Sequence, residues 1–126
     1  TLGRVLTAEE IEIARQIGVQ RPEAVRLRIV TRIEPVADPQ LKSLMHVEKA
    51  WGLTTGYGIT LTKPEVPRWL LAHELVHVRQ FEREGRRGFM RRYLTEMLAL
   101  PGNLIPAERE AITQGATIEP GPAYGF

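Results

Sequence analysis

The stretch Arg68-Trp69-Leu70-Leu71-Ala72-His73-Glu74-Leu75-Val76-His77-Val78-Arg79-Gln80-Phe81-Glu82-Arg83-Glu84 decides how this chain is read. It follows a rigid link at Pro64 and Pro67 and stops at Gly85. Its spacing predicts a helix, and Leu70, Leu71, Leu75, Val76 and Val78 predict that the helix is sunk in the core. Inside it stands His73-Glu74-Leu75-Val76-His77, an H-E-x-x-H sequence. Residues four apart share a helical face, one turn apart, so both imidazoles can reach one metal ion. Glu74 flanks that ion without being forced to bind it. A general base for a metal-activated water belongs at that position. Without a metal, the same stretch would bury three polar groups, at about 1–3 kcal/mol for each one left unsatisfied.

The 126 residues make one domain, and a chain of this size buries roughly 60 % or more of its unfolded surface. There is no cysteine and there are three histidines. Disulfides, iron–sulfur clusters, cysteine zinc sites and thiol nucleophiles are therefore excluded. The net charge is +2, and fourteen of the seventeen cations are arginine, so the pI of 9.3 does not by itself point to nucleic acid. No apolar run is long enough for a membrane helix. Thr1-Leu2-Gly3-Arg4 does not read as a signal peptide. A cytoplasmic location is the expectation, with secretion left open because the sequence starts without Met.

Outward from the central helix, Thr7 and Glu10 have capping-box spacing ahead of a short amphipathic helix over Ala8 to Ile17, stopped by Gly18. Val25 to Ile33 alternates apolar residues with arginines and predicts a strand. Leu41 to Ala50 predicts a short helix, and Tyr57 to Thr62 a strand. Gly88 to Leu100 carries Phe89, Tyr93, Leu94 and Met97 at helical spacing. Pro106 suits the first turn of a last helix reaching Gly115, with Asn103 or a neighbour as cap. The expectation is an α+β domain over residues 1–118, a small, mostly antiparallel sheet packed on the H-E-x-x-H helix and further helices. Residues 119–126 read as a mobile tail.

Two histidines need a third ligand. His46 is one candidate. Glu108 and Glu110 are better placed, at the start of the last helix, and being two apart only one of them can face the metal. The other then serves the helix N-terminus.

His73-Glu-Leu-Val-His-Val-Arg-Gln80-Phe81, Gly85, Phe89, Tyr93 and Pro106-x-Glu108-x-Glu110-Ala111 together resemble the small bacterial zincin-like metallopeptidase domains of the glutamate-ligand (gluzincin) type. The resemblance spans residues 3 to 115. It implies a minimal zincin-like fold, one Zn2+ per chain, and a third ligand on a helix after the motif. It also implies hydrolysis of a peptide or protein substrate, with Glu74 as base. Two family patterns compete. One places the ligand at Glu108 with an acid expected at Ile112. The other places it at Glu110 with an Asp expected at Gln114. Glu108 is preferred and Glu110 is the alternative. Neither pattern is complete, because the supporting acid is absent. Gln114 or a backbone carbonyl is the expected substitute for orienting a histidine.

Zincins offer a strand edge to extended peptide, so Gly58 and Ile59 are substrate-binding candidates, with an ordinary bulged strand the equal reading. Tyr93 and His46 are candidates for oxyanion stabilisation, and Tyr93 also reads as a core aromatic. Arg79, Arg83, Arg86, Arg87, Arg91 and Arg92 form a basic stretch without interleaved aromatics, which argues against nucleic acid. Two readings follow: a zinc peptidase whose specificity is supplemented by a protein partner, or a non-catalytic zincin-fold module binding an anionic partner through Arg79–Arg92.

Overall fold

The computed structural model describes residues 3–31, 51–100 and 104–121. The predicted helix over Leu41 to Ala50, His46 and Asn103 lie outside them. The order of elements is β1 (Arg4–Val5), α1 (Ala8–Ile17), a 3-10 turn (Pro22–Ala24), β2 (Arg26–Ile29), β3 (Gly52–Thr55), β4 (Gly58–Leu61), α2 (Arg68–Ala99) and α3 (Pro106–Gly115). This is a small α+β fold.

Local chemistry sets the ends of α1. The Thr7 hydroxyl accepts from Glu10 N, and the Glu10 carboxylate accepts from Thr7 N at 2.9 Å, so the expected capping box forms. At the other end Gly18 takes φ 105°, which lets its N–H close on the Ala14 and Arg15 carbonyls.

The strands are ordered β1-β2-β4-β3. β1–β2 and β3–β4 pair antiparallel, whereas β2–β4 pair parallel, so the sheet is mixed. Among the described residues β2 covers Arg26–Ile29 of the strand predicted over Val25 to Ile33, whose residues 32–33 lie outside them. Leu27 faces the core, but Ile29 is exposed. The alternation therefore holds for one buried position of β2 and fails at the strand's end. β4 turns Ile59 and Leu61 inward, and both are almost fully buried.

The first arm of α2 is buried on every side from Leu70 to Val78, as expected of a helix with apolar residues all round. Leu71, Leu75, Val76 and Val78 join Ile13, Ala14 and Ile17 of α1 and Leu27, Ile59 and Leu61 of the sheet in one core. At Gly85 the backbone swings to φ 74°, ψ 161°, so α2 is two helical arms joined at the predicted stop. A Cβ at Gly85 would meet nothing within 4 Å, so the dihedral rather than crowding calls for glycine there. The second arm packs through a smaller cluster of Phe81, Phe89, Ile105 and Ala107, with Phe81 and Phe89 stacked at 4.2 Å.

α3 begins with Pro106 in its first turn, and Ile105 stands at the cap without a side-chain hydrogen bond. Glu119, placed in the tail by the sequence, accepts from Trp69 N at 3.2 Å and so serves the N-terminus of α2. Among the described residues no helix is long and apolar enough to cross a membrane.

Gly115 holds α3 close to the motif helix: a Cβ there would sit 3.2 Å from His73 N and 3.4 Å from His73 Cα. Alanine would gain about 1 kcal/mol of helix propensity, but overpacking against backbone costs about 1–3 kcal/mol. Gly115→Ala is therefore expected to lower stability, by up to about 2 kcal/mol net. Urea denaturation of the variant and the wild type checks this.

Candidate metal centre

Three donors from two helices converge. His73 Nε2 and His77 Nε2, one turn apart on α2, each lie 3.0 Å from Glu108 Oε1 in the first turn of α3. His73, His77 and Glu108 form a group whose ligand atoms all fall within 4.8 Å of one another. Four donors held at about 2.0–2.2 Å from a zinc ion in a tetrahedron would stand about 3.4 Å apart. The spacing and the neutral-nitrogen-plus-carboxylate chemistry therefore fit such an ion. Both histidines are buried, and the Glu108 side chain is only 12 % exposed.

The other candidates divide. Glu110 lies away from the histidines; its Oε1 accepts from Gln80 Nε2 at 2.7 Å and pairs with Arg79 and Arg83 at 3.4 and 3.5 Å. Gln114 lines an open cleft of about 440 Å³ with Gly18, Arg79, Glu82, Arg83 and Glu110. Beside His77 the structure places Gln80, whose Oε1 lies 2.8 Å from His77 Nδ1. Tyr93 donates its hydroxyl to Glu108 Oε2 at 2.6 Å. The tyrosine is thus both a stacked aromatic beside Phe89 and a support for the carboxylate. Gly58 and Ile59 lie on β4, which is hydrogen-bonded to β2 on one side and β3 on the other. They present no open edge, and among the described residues the edge next to them is β3. Of the six patch arginines, Arg79 and Arg83 pair with Glu110, and Arg92 binds Glu84 at 2.6 Å and Glu96 at 3.4 Å.

Glu74 is buried between the motif helix and β3. Thr54 donates its hydroxyl to Glu74 Oε1 at 2.7 Å. Gly52 leaves room for the other oxygen, since a Cβ there would lie 2.9 Å from Glu74 Oε2. Thr54 and Gly52 were not anticipated, because nothing local in the sequence ties residues 52–54 to residue 74. Gln80 carried a readable signal: it stands three residues after His77 and shares its face.

Charge and burial compete throughout the cluster. Burial alone would lower the His77 pKa, but the Glu108 charge and hydrogen bond, the nearby Glu74 charge and the Gln80 oxygen raise it to about 9. Burial would raise Glu108, yet His77 and His73 hold its carboxyl well below the usual range. Burial, with Glu108 next, pushes the Tyr93 hydroxyl well above its ordinary value, so it remains a donor.

Comparison with family models, with curated proteins and with solved structures returned no significant match.

These directions set the pH behaviour of the metal-free protein. The stabilisation from His77 is complete below its unfolded value of about 6.5 and is lost as pH rises through about 9. That from Glu108 is present above the usual carboxylate range and is lost only as pH falls well below it. Near pH 8 the metal-free His77 is therefore an imidazolium, and a metal must displace its Nε2 proton. If these donors take zinc, calorimetric titrations in buffers of different ionisation enthalpy should show at least about one proton released per zinc at pH 8, from His77 and from any zinc-bound water. Release approaching zero would contradict the charged His77.

Proposed function

We propose that this chain is a metallopeptidase of the small zincin-like type it resembles, with His73, His77 and Glu108 holding one zinc ion and Glu74 acting as general base. The observation that carries the reading is the convergence of both motif histidines on a single carboxylate oxygen, with Glu74 buried beside them. When bound, zinc supplies a water of lowered pKa and polarises a carbonyl. The chain's own residues do the rest. Glu74 takes the proton of the attacking water and hands it to the leaving amine nitrogen. Thr54 keeps one Glu74 oxygen occupied, which fixes the carboxylate's plane and leaves the other oxygen as proton acceptor. Tyr93 holds Oε2 of Glu108, so that Oε1 is the oxygen turned to the histidines. β3 is the strand beside Glu74 on which an extended substrate could add by main-chain pairing.

The competing reading is a non-catalytic module that binds an anionic partner through Arg79–Arg92. Internal ion pairs already engage three of those six arginines, which weakens that reading. A structural site would also have no use for a buried carboxylate at Glu74.

Glu74→Gln should keep one zinc per chain by elemental analysis. It should lower kcat/KM on a cleaved library peptide by about 10²–10⁴-fold, the usual worth of a general base. Cleavage that survives the substitution would remove Glu74 from the mechanism. A zinc-loaded wild type that cleaves nothing in the library would favour the binding module.

A further inference from the structure

Gln80 is fully buried three residues beyond His77, and its amide touches three groups. We propose that Gln80 is the positioning residue of the metal centre: its amide, oriented by Glu110 and the Ala107 carbonyl, fixes the His77 ring with Nδ1–H turned to Gln80 and Nε2 turned to the metal position. This rests on the reading of His73, His77 and Glu108 as metal donors.

An amide accepts at one end and donates at the other, and its neighbours decide which end points where. Gln80 Nε2 lies 3.1 Å from the Ala107 carbonyl oxygen and 2.7 Å from Glu110 Oε1. Both partners only accept. An inverted amide would set its oxygen against two acceptors and forfeit two hydrogen bonds, one of them to a charge, at a buried position. Gln80 Oε1 therefore faces His77 Nδ1, at 2.8 Å. Being an acceptor only, that oxygen requires a proton on Nδ1. In the neutral ring the lone pair then sits on Nε2, the atom 3.0 Å from Glu108 Oε1.

Glu110 is held in turn by Arg79 and Arg83. The connection runs from two arginines through a carboxylate and an amide to an imidazole. It resembles a carboxylate–histidine–metal arrangement with an amide inserted. This accounts for the missing acid at Ile112 and Gln114: Glu110 supplies the negative charge and acts through Gln80. The two acids of Glu108-Arg109-Glu110 thus divide the work, one toward the metal position and one behind its ligand.

The test uses the full chain loaded with 113Cd and labelled with 15N. The proposal expects one-bond cadmium coupling at His77 Nε2 and a slowly exchanging Nδ1–H resonance. Gln80→Leu should abolish that resonance and weaken cadmium and zinc binding by about 10–100-fold, while Glu110→Ala gives a smaller loss. Gln80→Glu sets two carboxylates against each other and should also bind poorly. Adding Glu110→Gln to it exchanges amide and carboxylate, and should regain much of the affinity. Simple loss of packing would not produce that rescue. Coupling at His77 Nδ1 would overturn the proposal. So would a folded Gln80→Leu that keeps the resonance and binds metal within about twofold of wild type. If Gln80→Leu does not fold, the exchange pair decides: rescue supports the proposal and its absence overturns it. If the wild type takes up no metal, the donor reading fails, and whether the neutral ring of the metal-free protein keeps its proton on Nδ1 decides the ring orientation.

Discussion

Glu108 places a carboxylate between two buried imidazoles, 3.0 Å from each, and a charge so placed is tolerable only while its partners stay put. That requirement reaches outward into every element around it. The histidines are fixed because the first arm of α2 is enclosed by α1 and the sheet. Glu108 is fixed because α3 meets the motif helix across the Cβ-less Gly115, and because Tyr93 takes its second oxygen. Removing one partner would leave an uncompensated charge in the core, which costs more than the pair itself contributes.

The division between apolar and polar packing follows from the same constraint. On the sheet side of α2 the contacts are mostly aliphatic, from Leu27, Ile59 and Leu61 against the helix, with the Thr54–Glu74 hydrogen bond the polar exception. On the α3 side they are aromatic and polar, with His77 edge-on to Phe89 at 6.1 Å and Phe89 stacked on Phe81. An aromatic wall excludes water and offers few competing ligands. The charges of the cluster are therefore screened less than they would be at the surface.

Much of this was legible in the sequence where the signal is local. The capping box at Thr7 and Glu10, the stops at Gly18 and Gly85, the Pro106 start of α3 and the shared face of His73 and His77 each depend on residues a few positions apart. The choice between Glu108 and Glu110 was not decidable that way. It depends on the rotation of α3 against α2, which Gly115 and the small aromatic cluster set. The same holds for Thr54 on Glu74 and for β4 lying inside the sheet rather than at its edge. Strand order is a long-range property, and alternation along Tyr57 to Thr62 reads the same for an edge and a centre strand. Ile29 shows the converse failure, since its apolar side chain fits the pattern yet stands exposed.

The break at Gly85 divides the support of the centre unequally. From Leu70 to Val78 every residue of the first arm is buried, whereas beyond Gly85 only Phe89 is. The histidines thus belong to the most protected part of the molecule. Tyr93, which steadies their carboxylate, belongs to an arm held by ring contacts and by the Arg92–Glu84 ion pair. Two levels of cooperativity meet at Glu108. A partial opening can lift the second arm without melting the motif helix. The side of the cluster that faces Tyr93 would then loosen first, while the helix that carries both histidines stays intact.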